Sequence, residues 1–101
     1  MPKGYWVARV EVTDEDQYQK YVAANAAAFS KYGARFLVRG GSNEVVEGEG
    51  RSRNVVIEFA SYDQALDCWN SEEYQYAKSL RDGACIADII VIEGYDGPQP
   101  S

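Results

Sequence analysis

The stretch FLVRGGSNEVVEGEGRSRNVVIEF, residues 36–59, contains two apolar runs joined by a glycine-rich segment. RNVVIEF reads as one strand, because β-branched residues and alternation of apolar with polar positions are typical of a half-buried strand. ARFLVR (residues 34–39) reads as a preceding strand, and GEGRSRN between the two is short enough for a hairpin loop. Gly40 and Gly41 predict a bulge or bend, after which NEVVEG extends the first of these strands. The stretch therefore predicts two neighbouring antiparallel strands that carry charged residues.

A strand and a long helix precede this pair. YWVARVEV (residues 5–12) alternates apolar and polar positions, again the pattern of a half-buried strand. Thr13 is the predicted N-cap of the helix that follows, with Asp16 in the position of a capping box. Large residues, many of them tyrosine, recur at spacings of three and four along the predicted helix, residues 14–32. Gly33 ends this run as a C-terminal glycine does.

Two helical segments and a last strand follow the hairpin. Ser61 and Ser71 are the predicted N-caps of SYDQALDCW and SEEYQYAKSLRDGA. The sequence leaves open whether these segments form one bent helix or two. ADIIVIEGY, residues 87–95, is the predicted last strand, and the tail after it is expected to be loose.

The elements follow one another as strand, helix, strand, strand, helix pair and strand. This order is that of the split βαβ, or ferredoxin-like, fold of the α+β class, with a four-stranded antiparallel sheet and helices on one face. The other face would carry Tyr5, Val7, Leu37 and isoleucines of the last strand, which is more apolar area than a soluble monomer leaves in water. We therefore expect the sheets of two chains to pack face to face as a homodimeric α/β barrel.

The composition indicates one soluble domain that spans residues 1–101 and is ordered from about residue 3 to residue 95. The net charge of −6 and the pI near 4.5 give a field that repels phosphate backbones, so nucleic acid is not an expected partner. No apolar stretch is long enough to span a membrane and the N-terminus lacks a signal-peptide core, so the predicted location is the cytoplasm. In that compartment Cys68 and Cys85 are expected to be reduced thiols.

The chain contains no histidine, which removes the commonest general base and metal ligand. No metal site and no cofactor are predicted, and any acid–base chemistry falls to Glu, Asp, Tyr, Lys or Cys. The glycine cluster GGSNEVVEGEG lacks the Gly-Lys-Ser/Thr ending of a phosphate-binding loop and reads as strand and turn. The paired carboxylates that open the predicted helices are explained by the helix dipole rather than by a bound cation.

Four blocks of the sequence together resemble the bacterial family named domain of unknown function 1330. The blocks are KGYWVARVEVTDEDQYQKYV, FSKYGARFLVRGG, EGEGRSRNVVIEFASYDQAL and SEEYQYAKSLRDGA. The family lies within a wider dimeric α/β-barrel group that includes antibiotic-biosynthesis-monooxygenase-like proteins. The resemblance covers about residues 3–95, and it implies a dimeric α/β barrel without an established reaction.

Charged residues are predicted on the sheet face that lacks helices. Alternation along the second strand sets Phe36 and Val38 on the helix-covered side and Arg39 on the other side, toward the dimer interior. Arg9 of the first strand and Glu58 of the third strand are expected to face the same interior. A buried guanidinium is tolerated when a carboxylate or an anionic ligand pairs with it, and its planar fork suits bidentate contact.

Three interpretations follow from this placement. In the first, the interior is a pocket for a small polar or anionic organic molecule, with Arg39 as anchor and Glu58 as a possible base or orienter. The candidate ligand-binding residues are Arg39, Arg9, Glu58, Tyr5, Tyr21 and Tyr32. In the second, an Arg–Glu pair only specifies the dimer. In the third, the charges lie at a solvated sheet edge.

The pocket interpretation divides into an enzyme and a binding protein. Some members of the wider barrel group oxidise or isomerise small aromatic or polyketide-like substrates without a metal or prosthetic group. The resemblance thus implies a cofactor-independent monooxygenase- or isomerase-like enzyme, in which Glu58 or a tyrosine would move a proton. A non-catalytic dimeric binding protein is the alternative. A desolvated Glu58 beside an open cavity would favour the enzyme, and a closed pair with Arg9 or Arg39 would favour a structural role.

Overall fold

The computed structural model describes residues 2–100, which form four strands and three helices. In chain order the elements are β1 (Gly4–Val12), α1 (Glu15–Lys31), β2 (Arg35–Arg39), β3 (Arg53–Phe59), α2 (Tyr62–Asn70), α3 (Glu72–Ser79) and β4 (Cys85–Glu93). The strands form one antiparallel sheet in the order β2-β3-β1-β4. This arrangement confirms the predicted ferredoxin-like α+β fold.

Serine side chains begin the two short helices. The hydroxyl of Ser61 accepts a hydrogen bond from the backbone N–H of Gln64 at 3.1 Å. The hydroxyl of Ser71 accepts one from the backbone N–H of Tyr74, also at 3.1 Å. Ser71 has extended backbone angles and ends α2 as well as starting α3, so the segment is two helices. Among residues 2–100, no helix combines the length and the apolar content that a membrane span needs.

The predicted N-cap of the first helix is wrong by one residue. Asp14, and not Thr13, accepts a hydrogen bond from the backbone N–H of Gln17, at 3.1 Å. The backbone N–H groups of Thr13 and Asp14 both donate to the carbonyl of Ala84, at 2.8 and 3.0 Å. This contact with the turn before β4 holds Thr13 outside the helix, so that the next residue with a suitable side chain becomes the cap.

The connection between β2 and β3 also differs from the prediction. NEVVEG forms no strand, because β2 ends at Arg39 and residues 40–52 are a loop. Gly40 has a φ of +69°, which turns the chain out of the sheet. The end of the loop is fixed to the sheet by Arg9, whose Nη2 donates to the carbonyl of Glu49 at 2.7 Å. Two further contacts join Ser52 to Glu11 and Arg51 to Asp88.

A β-bulge lies at Leu37, within β2. Phe36 is opposite Ile57 on β3 and Val38 is opposite Val56, so the residue between them has no partner in the ladder. The sequence predicted the irregularity at the glycine pair after β2, three residues further on. An extra residue in a strand reverses the face on which every following side chain lies, so the position of the bulge decides which residues of β2 point toward the helices.

Trp6 lies at the centre of the core, on the sheet face that the helices cover. The residue is 1% exposed, and its indole N–H donates to the carbonyl of Ala65 on α2 at 2.8 Å. Four aromatic rings surround it, with centroids 4.8 to 5.5 Å away: Phe29, Phe59, Trp69 and Tyr74. Aromatic pairs at this separation add to the stabilisation that burial gives. One continuous core therefore joins β1 and β3 to all three helices.

The opposite side of the sheet, here called the open face, is uncovered in the single chain. Ile86, Ile90 and Ile92 of β4 are 52%, 55% and 46% exposed, and Val38 of β2 is 43% exposed. These side chains are apolar, and the helices pack on the other face. The exposed apolar face that the sequence predicted is thus present.

Gly33 follows α1 with a φ of +68°, in agreement with its predicted role as a C-terminal glycine. We expect Gly33→Val to lower the free energy of unfolding by about 1–3 kcal/mol, because a β-branched residue is strained in this conformation. A Cβ atom at residue 33 would meet nothing closer than Nε2 of Gln64 at 3.8 Å. The loss of stability would therefore come from the strained backbone conformation. Urea denaturation of Gly33→Val measures this loss in the free energy of unfolding. Gly41→Val is the control, because a Cβ at residue 41 would meet nothing within 4 Å. Equal stability of the two variants would contradict this assignment.

Candidate functional site

Two of the predicted site residues meet on the open face. Tyr5 of β1 is opposite Glu58 of β3 in the ladder, and its hydroxyl donates to Oε2 of Glu58 at 3.3 Å. Partial desolvation, followed by the nearby carboxylate, raises the pKa of Tyr5 above its ordinary value. Arg35 of β2 is opposite Glu58 on the other side of β3. The open face therefore presents a hydrogen-bonded phenol and carboxylate with a guanidinium on the neighbouring strand.

Arg9 also lies on the open face but does not contact Glu58. Its guanidinium donates to the backbone carbonyl of Glu49, and so it holds the β2–β3 loop. The ion pairs within residues 2–100 are Lys31–Glu73 and Arg51–Asp88. Neither of the closed pairs considered from the sequence, Glu58 with Arg9 or with Arg39, is among them.

The predicted orientation of Arg39 is wrong. The bulge sets Arg39 opposite Val55, a buried residue of the helix-covered face, and sets Val38 on the open face instead. The guanidinium carbon of Arg39 lies 4.2 Å from the ring centre of Phe36, a cation–π contact. Phe36 in turn packs edge-on against Phe29 of α1. Arg39 and Glu58 are consequently on opposite sides of the sheet.

The two helical tyrosines of the predicted site are on the same side as Arg39 but do not meet each other. Tyr21 is 8% exposed, and its hydroxyl lies 2.9 Å from the hydroxyl of Tyr74 on α3. Tyr32 follows the last turn of α1, where its carbonyl accepts a hydrogen bond from Gln64 at 2.7 Å. The six candidate residues therefore occupy three places: the open face, the space beneath α1 and the end of α1.

A cavity lies beneath α1, between that helix and the sheet. Its volume is about 40 Å³, enough for a few water molecules or a small apolar group. The walls are aromatic and aliphatic side chains from α1 and from the four strands, such as Val22, Phe29 and Phe36. The polar groups in the lining are Tyr18, Tyr21, Asn25, Arg39, Arg53, Arg81 and Cys85. Large side chains span the distance between α1 and the sheet, and Phe29 of α1 packs on both Trp6 and Phe36.

A wider groove of about 530 Å³ adjoins the cavity and opens to solvent. The residues that line both spaces are Tyr18, Val22, Arg39 and Arg53. The other charged residue of the groove is Glu15, whose carboxylate accepts a hydrogen bond from Gln19 at 2.8 Å. The groove thus contains two guanidinium groups and one carboxylate, a local excess of one positive charge in a chain whose net charge is −6.

Arg53 lies where the cavity and the groove meet. It is opposite Val10 in the ladder, and its guanidinium carbon is 6.0 Å from the ring centre of Tyr18. Its Nε is buried and has no hydrogen-bond partner among the described residues. A buried donor without a partner costs roughly 1–3 kcal/mol, so this position favours the binding of an acceptor.

The sequence analysis did not select Arg53, although its pattern contained the signal. Arg53 alternates in step with Val55, Ile57 and Phe59, the three buried residues of β3. Period-two alternation therefore sets Arg53 on the helix-covered face. The sequence analysis included Arg53 both in the strand RNVVIEF and in the loop GEGRSRN, and it assigned no face to this residue.

The phenols beneath α1 are held in their neutral form. Burial first, and then the adjacent hydroxyl of Tyr74, raise the pKa of Tyr21 far above its ordinary value of 10.0. Burial also raises the pKa of Tyr18, and Arg53 opposes part of this effect. Neutral phenols in a cavity act as hydrogen-bond donors.

The two cysteines are free, as predicted. Burial, with a smaller effect of Glu73, raises the pKa of Cys68 to about 12. A thiol with so high a pKa is inert, because the thiolate is the reactive form. Cys68 is thus a packing residue.

Comparisons with known proteins agree with this fold. A crystal structure of a protein of unknown function from Rhodopseudomonas palustris is similar, with a TM-score of 0.77, 14% identity, and coverage of 95% of this chain and 85% of that chain. A proposed antibiotic biosynthesis monooxygenase from Caulobacter crescentus has a TM-score of 0.65 and 18% identity, over 94% of this chain and 92% of that chain. SnoaB, a cofactor-independent oxygenase from Streptomyces nogalater, has a TM-score of 0.62 and 12% identity, over 99% and 97%. No curated protein sequence matches the chain.

The fold and these structures define the class as a ferredoxin-like α+β protein whose structural neighbours are antibiotic-biosynthesis-monooxygenase-like. The model of the family described as domain of unknown function (DUF1330) matches residues 3–95. The chain belongs to this family, as its sequence blocks indicated.

The raised pKa of Tyr21 predicts a loss of stability at alkaline pH. Below pH 10 the phenol is protonated in both the folded and the unfolded states and has no effect on the pH dependence. Above pH 10 the unfolded chain ionises while the folded protein stays protonated, so the free energy of unfolding falls with pH, by at most about 1.4 kcal/mol per pH unit for one proton. We expect Tyr21→Phe to make this fall shallower.

Urea denaturation between pH 9 and pH 11 measures this dependence. Tyr76→Phe serves as the matched control, since Tyr76 is 64% exposed on α3. Tyr76→Phe should keep the steep dependence of the wild-type protein. The same slope for wild type and Tyr21→Phe would refute the prediction.

Proposed function

We propose that this protein binds a small organic molecule in the cavity and groove beneath α1. The observation that carries the proposal is the buried, unpartnered Nε of Arg53 at the junction of an apolar-walled cavity and an open groove. Small-molecule sites typically combine apolar walls with a few convergent polar groups. The candidate site thus lies on the helix-covered side of the sheet, rather than between the sheet and a partner chain.

The shape of the site limits the ligand. The cavity of about 40 Å³ admits only a small apolar group, so most of the ligand would lie in the groove of about 530 Å³. Arg39 and Arg53 would contact its polar end, because both residues line the cavity and the groove. Phe36, already in contact with Arg39, would contact its apolar part.

Blocking the site tests this proposal. Val22 lines both spaces from α1, so Val22→Phe should remove ligand-induced thermal stabilisation. Ala26→Phe is the matched control, because Ala26 is exposed on the same helix. A panel of small organic acids, amides and alcohols should contain compounds that raise the Tm of the wild type and of Ala26→Phe by several degrees near saturation. A panel without effect on the wild type, or with equal effects on both variants, would refute the proposal.

A second candidate function is a cofactor-independent oxygenase or isomerase. The neutral phenol of Tyr18 beside Arg53 favours it, since two such donors would stabilise negative charge that develops on a substrate oxygen. SnoaB is described as a cofactor-independent oxygenase, but at 12% identity the likeness concerns the fold. Glu58 lies across the sheet from this cavity, so a base at this site would have to come from the groove or from the substrate.

We also propose that two chains associate through their open faces. The exposed isoleucines of β4 and Val38 form an apolar surface next to the Tyr5–Glu58 pair. Association would bury these side chains and bring the polar pair near its symmetry mate. In this arrangement Tyr5, Arg9 and Glu58 would contribute to the specificity of the dimer, which is one of the roles inferred from the sequence.

Light scattering tests the association. The wild type should have twice the chain mass of 11.3 kDa at micromolar concentration. Ile90→Glu should have the mass of one chain, because it introduces a charge among the exposed isoleucines of β4. Tyr76→Glu, on the exposed side of α3, should have the wild-type mass. A wild type with the mass of one chain would rule out the dimer.

A further inference from the structure

We infer that the ligand of the proposed site is a small monocarboxylate, that Arg53 is its anchor and that Gly40 positions the anchor. This inference rests on the proposed binding function and adds the chemistry of the ligand and two residues. None of the sequence-based candidates included Arg53 or Gly40.

The unpartnered Nε of Arg53 indicates the chemical class of the ligand. The guanidinium donates through Nε and through its two terminal nitrogens, and Nε together with one terminal nitrogen forms a fork that fits the two oxygens of a carboxylate. Nε is buried without a partner, so a carboxylate would reach it when the side chains that cover it move aside. A neutral amide has only one acceptor oxygen, so it would leave one of the two N–H donors without a partner.

The charge of the groove favours a single negative charge. Arg39 and Arg53 contribute two positive charges, and Glu15 contributes one negative charge. A carboxylate would neutralise the remaining charge, whereas a phosphate or phosphonate dianion would exceed it and would face Glu15. A monocarboxylate with a short apolar body therefore matches both the charge of the groove and the small size of the cavity.

Gly40 fixes the position of the Arg53 side chain. A Cβ atom at residue 40 would lie 2.5 Å from Nη1 and 3.3 Å from the guanidinium carbon of Arg53, so any side chain there would displace the guanidinium. The backbone of Gly40 is itself fixed, because its N–H donates to the carbonyl of Asn54 at 2.9 Å. Glycine is thus favoured at this position by its φ of +69°, and a Cβ there would also make the end of the Arg53 side chain shift.

The nearby arginines have other roles. Arg39 is exposed and stacks on Phe36 at the groove, so it is a secondary contact for the carboxylate. Arg51, two residues before Arg53, lies on the opposite side of the sheet in an ion pair with Asp88. Arg51 therefore provides a matched control: the same residue type on the same segment, directed away from the cavity.

The experiment is an NMR titration of the full chain with butyrate, butyramide, benzoate, benzamide and propylphosphonate. We expect the carboxylates to shift the amide signals of residues around the groove and to bind about tenfold or more tightly than their amides, since hydrogen bonds to a charged partner are the stronger ones. Arg53→Gln should weaken carboxylate binding by about ten- to hundredfold, with little effect on the amides. Arg51→Gln should bind as the wild type does.

A second pair of variants tests the positioning role without removing any charge. Gly40→Ala and Gly48→Ala both introduce a side chain at positive φ, but a Cβ at Gly48 meets nothing within 4 Å. Both variants should lose thermal stability to a similar extent. Only Gly40→Ala should weaken carboxylate binding, by about tenfold.

The outcomes separate the inference from the proposed function. If amides bind as tightly as carboxylates, or if Arg53→Gln has no effect, the site binds small molecules but the carboxylate anchor is refuted. If propylphosphonate binds more tightly than butyrate, the anchor stands and the monocarboxylate class is refuted. If no compound of either kind shifts the residues around the groove, the proposed binding function fails as well.

Discussion

The hydrogen bond from the indole of Trp6 to the carbonyl of Ala65 joins the central strand of the sheet to α2. The rings around Trp6 extend this contact to α1 through Phe29 and to α3 through Tyr74. Because β1 pairs with both β3 and β4, the contacts of Trp6 determine which side of the whole sheet the helices cover. The hydroxyls of Tyr74 and Tyr21 then meet at 2.9 Å and attach α1 to α3, beside the cavity rather than across it.

The space beneath α1 is chemically unlike the rest of the core. Most of the core is aromatic and aliphatic, whereas Arg39, Arg53 and Arg81 also line the cavity, and the first two line the groove as well. In a chain of net charge −6, such a cluster concentrates positive charge in one place. The surrounding phenols stay neutral, so they do not compensate it. The polarity of the site therefore comes from the ends of long side chains that begin on the sheet and on the turn before β4.

The order of the elements was predictable because each is specified locally. Alternation identifies β1 and β3, and the caps at Ser61 and Ser71 act within four residues of sequence. The bulge at Leu37 was not predictable in the same way, since register depends on pairing with β3, and RFLVR alternates equally well with or without an extra residue. The error moved Arg39 from one side of the sheet to the other. Arg53 needed no such information, because its face follows from the buried residues after it.

The bulge at Leu37 gives β2 one residue more than its pairing with β3 requires. Loss of the single codon for Leu37 would remove the bulge and would leave Val38 opposite Val56 and Arg39 opposite Val55, so both side chains would keep their faces. Such a deletion would keep the positive charge of Arg39 at the groove and the apolar side chain of Val38 on the open face. A protein built on this sheet can therefore lose one residue of β2 without moving charge from one face of the sheet to the other.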